Sequence, residues 1–416
     1  MQTLNPVQAN ERETFMDVLR GFAILGIFIA NLGSGFSFYN ESAHATGPLL
    51  EPDLDQKMGF LHHMFIEGKF YSIFSLLFGW GIALQFKRAA AKGINALPTV
   101  RRRLVFMLAL GVFHLLLWPG DIVFFYALLG FILLPLRKLS NKTMIITGVI
   151  LVLSPILLYA AKLQWHVLNE PANFLYGIGD KLDKKLLGIT PESDFNALIK
   201  EAGWWEILKG NISGFFYRYG YLFFVSRIPK VLGMFLIGYA LGRSDFYKNI
   251  TQHKKTIYII IAAGLLIGLP ANFYLARYMT YFNGDYFGLK TKGLYQTIFY
   301  ALGVVPLALV YVGLFMLSFQ NTTGKKILSI LAPVGKMAFS NYILQTLTGN
   351  FVFLPAGLGY MGQVGPFWYT ILGVGFFIIQ IILSTIWLKY FNYGPLEWLW
   401  RSATYKKWQL MQKKSL

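Results

Sequence analysis

Long apolar runs separated by short polar stretches dominate the chain. About 20 mostly apolar residues make one membrane-spanning helix. Ten runs approach that length, at about 16–38, 59–86, 103–118, 121–136, 143–161, 222–242, 256–276, 294–319, 327–349 and 367–390. The third and fourth are short, and Pro119-Gly120 breaks the run between them, so they read as a tight helical hairpin. The pattern predicts an all-α transmembrane bundle over 16–390, between an N-terminal segment 1–15 and an amphipathic basic tail 391–416. One connection is long, 162–221, and its Trp204, Trp205, Phe215, Phe216 and Tyr217 predict an interfacial helix at about 203–218.

The loop charges orient the bundle. Lys87, Arg88, Lys92, Arg101, Arg102 and Arg103 lie between the second and third runs, and Arg137, Lys138 and Lys142 between the fourth and fifth. Arg243, Lys248, Lys254 and Lys255 follow the sixth run, Lys325 and Lys326 the eighth, and Lys406, Lys407, Lys413 and Lys414 the last. Alternate loops are therefore basic, whereas Glu41, Glu51, Asp53 and Asp55 mark an acidic one. The positive-inside rule places both termini in the cytoplasm, and an even number of spans agrees. No small-residue cleavage site follows the first run, so it is expected to remain a span. A multi-pass protein of a bacterial cytoplasmic membrane is expected, with the lipid bilayer as its first partner.

Composition adds exclusions. Only 14% of the 416 residues are charged, against roughly 25% in soluble proteins. The net charge of +19 would suggest nucleic acid in a soluble chain; here the basic loops account for it, and no nucleic-acid partner is expected. The absence of cysteine excludes disulfides, thiolate metal sites and cysteine nucleophiles. No phosphate-binding loop, HExxH or GxSxG motif occurs, and no metal site is expected.

Candidate chemistry sits at the ends of the apolar runs. Asp17 and Arg20 open the first, three residues apart on one helical face, and Asn31 lies near its exit, roughly in line with them. His63 and Glu67, four apart at the outer start of the second run, suit a base with its orienting carboxylate or an interfacial pair that satisfies itself. Lys69 follows directly. His114 needs a partner in its apolar helix; Asp121 across the hairpin supplies one, as a second candidate base or as a structural staple. His44, His166 and His253 stand in loops without such neighbours. Asn341 and Gln345 form a polar strip on the ninth run that either glues helices or lines a cavity.

Four motifs together carry a resemblance. They are Asp17-x-Leu-Arg20-Gly, Glu67-Gly-Lys-Phe-Tyr-x-x-Phe-Ser-x-x-Phe-Gly79, His114 with Gly120-Asp121-Ile, and Gly394-Pro-Leu-Glu-Trp-x-Trp-Arg401. They resemble the YeiB-like family of bacterial multispanning membrane proteins over about 15–405. That family is itself similar to membrane acyltransferases, among them the acyltransferase-3 group and heparan-α-glucosaminide N-acetyltransferase. The acyltransferase-3 group carries an essential histidine fourteen residues after the first-span aspartate, where this chain has Asn31. The lysosomal enzyme has asparagine there too, and a histidine five residues before a glycine, as His63 stands before Gly68.

The resemblance implies acyl transfer, most simply of acetyl, from cytosolic acyl-CoA to an acceptor amine or hydroxyl at the outer side, such as an envelope sugar. His63 with Glu67, or His114 with Asp121, would act as base, and Asn31 would stabilise the oxyanion. Asp17, Arg20, Lys69, Arg101, Arg102, Arg103 and Arg243 would hold the CoA portion. A small-molecule transporter or exporter, a non-catalytic envelope-assembly partner and a homodimer are the other expectations. The near absence of charge in the middle of the runs weighs against a proton-coupled carrier.

Overall fold

A computed structural model describes residues 13–37, 47–189, 202–244 and 246–413. Glu41, His44, Lys414 and segment 1–12 lie outside the described residues. The described chain is helical throughout, with no strand beyond isolated bridges joining Leu49 to Val364 and Phe391 to Gln412.

In order the helices are α1 (Thr14–Asn31), α2 (Pro52–Phe65), α3 (Lys69–Ala91), α4 (Leu97–Leu117), α5 (Val123–Leu136), α6 (Asn141–Gln164), α7 (Glu170–Leu187), α8 (Trp204–Phe224) and α9 (Arg227–Arg243). Then come α10 (Ile250–Ala263) and α11 (Leu269–Tyr281), joined through the wide turn Gly264–Gly268. A single turn at Asn283–Phe287 precedes α12 (Thr291–Ser318), α13 (Thr322–Leu328), α14 (Ala332–Lys336), α15 (Ala338–Phe353), α16 (Pro366–Tyr390) and α17 (Pro395–Tyr405).

The ten apolar runs fall on helical chain, several of them across a break between two helices. Five described helices, α1, α6, α10–α11, α12 and α16, are long and apolar enough to cross a membrane by themselves. Two bent pairs raise the number to seven: α8 with α9 at 73°, and α13–α14 with α15 at 74°. The expected number of ten rests on α3, α4 and α5, whose ends are charged or whose length is short. Many side chains of α6, α10–α11 and α16 are apolar yet exposed, among them Leu157, Leu266 and Ile378, which marks the lipid-facing surface of a multi-pass membrane protein.

Two boundaries differ from the sequence expectation. The run 59–86 is not one helix: α2 ends at Phe65, Gly68 takes a left-handed φ of 79°, and α3 starts only at Lys69. The interfacial helix expected at 203–218 falls on α8, which is longer and turns sharply into α9 at Ser226, so that the two together are apolar enough for one broken span. Helix α8 pairs with α7, where the Tyr217 hydroxyl lies 2.8 Å from both Asp180 Oδ1 and Asp183 Oδ2, with one proton to share between them.

Small residues let the helices meet closely, as packing in lipid requires. A Cβ on Gly238 of α9 would stand 2.0 Å from the Leu76 carbonyl oxygen of α3, and one on Gly335 would stand 1.7 Å from that of Asp17 on α1. The second contact holds the broken α13–α14 segment against the start of α1. Glu397 of α17 then caps the restart of the chain at α15. Its Oε1 accepts from the Phe339 and Ser340 amides at 2.6 and 3.1 Å, and its Oε2 from the Ser340 hydroxyl at 2.5 Å. The carboxylate supplies acceptors to the free N–H groups of a helix start.

Candidate functional site

A cavity of about 280 Å³ opens among the ends of α1, α3, α4, α15 and α17. At the basic end of the bundle it is lined by Arg20, Arg88, Arg103, Lys336 and Arg401, with Glu13, Asp17 and Glu397 among them. Farther in, the walls turn apolar, with Ile24, Ile27, Phe74, Leu77, Met107 and Val123. From Arg88 to Phe74 the α3 wall runs fourteen residues, about 21 Å of helix. By the positive-inside rule the charged mouth faces the cytoplasm.

Asp17 and Arg20 meet as their spacing predicts: Arg20 donates to Asp17 Oδ1 at 3.1 Å, with the carboxylate fully buried. Arg103 is held by the tail helix. Its guanidinium lies 4.7 Å from the Trp400 ring, and its carbonyl accepts from the Trp400 indole N–H at 3.1 Å. The terminal motif therefore shapes the mouth. Arg88, Lys336 and Arg401 join the site without having been singled out for it: Arg88 reads as loop charge, Lys336 lies inside an apolar run and Arg401 belongs to the terminal motif.

Tyr342 forms part of the deep wall. Its ring meets that of His114 edge-on, with centroids 4.9 Å apart, and its hydroxyl is buried and donates to no acceptor. Behind it lies a buried relay. His114 Nδ1 is 2.6 Å from Asp121 Oδ1, and Asp121 Oδ2 accepts the Phe124 amide at 2.6 Å. His114 Nε2 is 2.9 Å from the Thr346 hydroxyl. His114, Asp121 and Thr346 are no more than 1% exposed. The carboxylate holds the proton on Nδ1, leaving Nε2 as the basic nitrogen. The hairpin that Pro119-Gly120 forces brings the first two together; Thr346 arrives from α15, 232 residues away.

The other candidates lie elsewhere. His63 and Glu67 make no hydrogen bond or ion pair with each other, and His63 Nδ1 is buried without a partner. Burial lowers the His63 pKa, the nearby Glu67 charge only partly opposing it. Lys69 is fully buried at the outer start of α3, donating from Nζ to the His63 carbonyl at 2.8 Å, far from the cytoplasmic mouth. Its neighbour His62 is the bonded histidine, with Nδ1 3.2 Å from the Tyr369 hydroxyl and Nε2 2.8 Å from that of Thr370. Asn31 stands where α1 passes into the wide turn Leu32–Phe36 and does not line the cavity. Arg101 is exposed, and Arg102 turns a buried Nε away from any acceptor. Arg243 clasps the α5–α6 turn, donating to Asn141 Oδ1 at 2.6 Å and to the Leu139 and Arg137 carbonyls at 2.7 and 3.2 Å. Asn341 and Gln345 are helix glue: they bond Ser384 at 3.0 Å and Gln380 at 2.8 Å on α16. Among the described residues no group of three or more histidine and acidic side chains could hold a metal ion.

Residues 241–407 match a family model described as a protein of unknown function, DUF418. The whole chain aligns with uncharacterized protein YxaH of Bacillus subtilis at 31% identity, covering 100% of both chains. It is 28% identical to an uncharacterized 39.9 kDa protein in the amylase 3′ region of Bacillus acidopullulyticus, over 99% of each chain. It is also 28% identical to uncharacterized protein YeiB of Escherichia coli, over 95% of this chain and 96% of that one. No solved structure matches it significantly.

Proposed function

The chain belongs to the YeiB-like family of multispanning membrane proteins, and from that membership and its cavity we propose a membrane-embedded acyltransferase of the bacterial cytoplasmic membrane. Cytosolic acyl-CoA, most simply acetyl-CoA, is the donor, and an amine or hydroxyl at the outer side is the acceptor. One observation carries this reading: an apolar shaft leads from a mouth of four arginines and a lysine to the wall behind which His114 and Asp121 pair. Arginine guanidinium groups suit the phosphates of CoA, and the apolar shaft suits a pantetheine arm.

The chemistry assigns each group a role. Asp121 keeps the His114 Nδ1 proton in place, so Nε2 takes the acceptor proton once the acceptor displaces Thr346 from it. The acceptor lone pair attacks the thioester carbonyl, and the Tyr342 hydroxyl, free to donate, stabilises the oxyanion. The C–S bond then breaks, and His114 returns the proton to the leaving thiolate. His114 replaces His63 as the favoured base, because its imidazole is oriented by Asp121 and packs on the Tyr342 ring that lines the cavity.

Calorimetric titration of the purified protein with acetyl-CoA tests the donor site. Binding should weaken by about tenfold or more in Arg103→Met, which removes one charge-assisted phosphate contact. No binding by the wild type, or equal binding by the variant and the wild type, would overturn the assignment of this cavity.

A further inference from the structure

A second set of cations gathers at the opposite end of the bundle, at the outer starts of α3 and α9 and on α8, beside Tyr300 of α12. Arg227 places its guanidinium 4.3 Å from the Tyr71 ring and donates to the Tyr300 hydroxyl at 3.2 Å. Lys230, one turn on and 7% exposed, holds Nζ 4.3 Å from the Tyr300 ring. The two tyrosines are tied by a 3.1 Å bond between their hydroxyls, which fixes the floor beneath both cations. Fully buried Lys69 and half-buried Arg218 complete the group, the latter 5.6 Å from the Tyr221 ring.

Among the described residues these side chains form no ion pair. Glu67 is the carboxylate whose field reaches Lys69, Arg227 and Lys230. Among the described residues it forms no ion pair with any of them. Arg227 Nε and Arg218 Nε are both buried without a hydrogen-bond partner. Cations kept from water are costly unless paired, and an aromatic face offsets only part of that cost. None of these residues lines the cytoplasmic cavity, so donor binding does not explain them. A guanidinium fork with unused donors, beside a lysine and two phenols, matches a tetrahedral oxyanion.

We propose that this outer cluster binds a phosphate group, carried either by a lipid headgroup or by a soluble phosphorylated molecule. Arg227 and Lys230 make the direct contacts, and the Tyr71–Tyr300 pair positions them. Under the acyl-transfer reading this is where a phosphate-bearing acceptor is anchored, but the binding stands or falls without any turnover.

The test uses the full chain in phosphatidylcholine nanodiscs, melted with increasing inorganic pyrophosphate against sodium chloride of equal ionic strength. The wild type should show a saturable rise in melting temperature. Arg227→Gln and Lys230→Met should each shift the half-saturation by about tenfold or more. Lys230→Met should also melt higher than wild type without pyrophosphate, because it removes a buried unpaired charge; it carries the test if Arg227→Gln does not fold. In parallel, nanodiscs containing phosphatidylglycerol are examined by melting and native mass spectrometry. Protection by phosphatidylglycerol but not pyrophosphate, lost in Lys230→Met, identifies a headgroup; the reverse identifies a soluble phosphate. If neither probe stabilises the wild type, or both variants respond as the wild type does, the proposal is overturned. Failure of acetyl-CoA to bind would overturn the donor site alone.

Discussion

Asp121→Asn is the sharpest perturbation of the proposed relay. The asparagine is isosteric, so the hairpin keeps its shape. Asp121 now accepts at both oxygens, from the His114 Nδ1–H and from the Phe124 amide, each at 2.6 Å. An asparagine that keeps the Phe124 bond through its carbonyl must present its NH₂ to His114. The amide then donates to Nδ1, the proton moves to Nε2, and the nitrogen that should act as base is blocked. Loss of general-base catalysis is worth about 10²–10⁴ in rate, and a wrong histidine tautomer about 10⁴ in a serine protease. We therefore expect turnover to fall by about 10³, or about 4 kcal/mol of barrier, while thermal stability changes by only about 1 kcal/mol. The assay follows CoA release from acetyl-CoA with a thiol-reactive dye, in the presence of an envelope-sugar extract. The chain has no cysteine, so the dye reports CoA alone. Activity within threefold of wild type in a well-folded Asp121→Asn protein would refute His114 as the base.

Other consequences follow from the same geometry. Glu397→Ala leaves the Phe339 and Ser340 amides without their carboxylate; it should cost about 1–2 kcal/mol, read as a melting temperature lower by a few degrees, and Glu397→Gln should recover part of it. Burial holds the His62 pKa down at about 4 against an ordinary 6.5, with His63 adding to the effect. A depressed histidine pKa means that the unfolded chain takes up the proton first. His62 therefore contributes full stability above pH 6.5, and this is lost as pH falls toward 4. Its upper bound is about 3 kcal/mol, less after screening at a partly exposed site; the melting temperature in detergent should drop over that interval, and His62→Gln should flatten the drop. Gly238→Val places a side chain 2.0 Å from the Leu76 carbonyl; separation of α3 from α9 should leave little folded protein by size-exclusion chromatography, whereas Gly177→Ala, with open space around it, should behave as wild type.

The sequence alone determined the all-helical class, the placement of the apolar runs and the basic end, because burial in lipid demands long apolar helices and loop charge orients them. It also brought His114 and Asp121 within reach, because Pro119-Gly120 permits little but a tight hairpin between them. Tertiary structure decided the rest. Asn341 and Gln345 form the polar strip on α15, yet the residues that meet His114 lie on the adjacent face, Tyr342 and Thr346. One residue is about 100° of rotation on a helix, and between membrane helices no contrast of polarity marks which side meets the partner. The breaks at Gly68, Ser226 and Met337 were equally hidden, because each is only a brief polar interruption before the apolar pattern resumes, while the backbone turns. The two cationic clusters could not be told from topology signals until folding brought Arg20, Arg88, Arg103, Lys336 and Arg401 to one mouth and Arg227 and Lys230 to the Tyr71–Tyr300 pair. Charge in a sequence orients a membrane protein; only the packing of helix ends shows which charges converge.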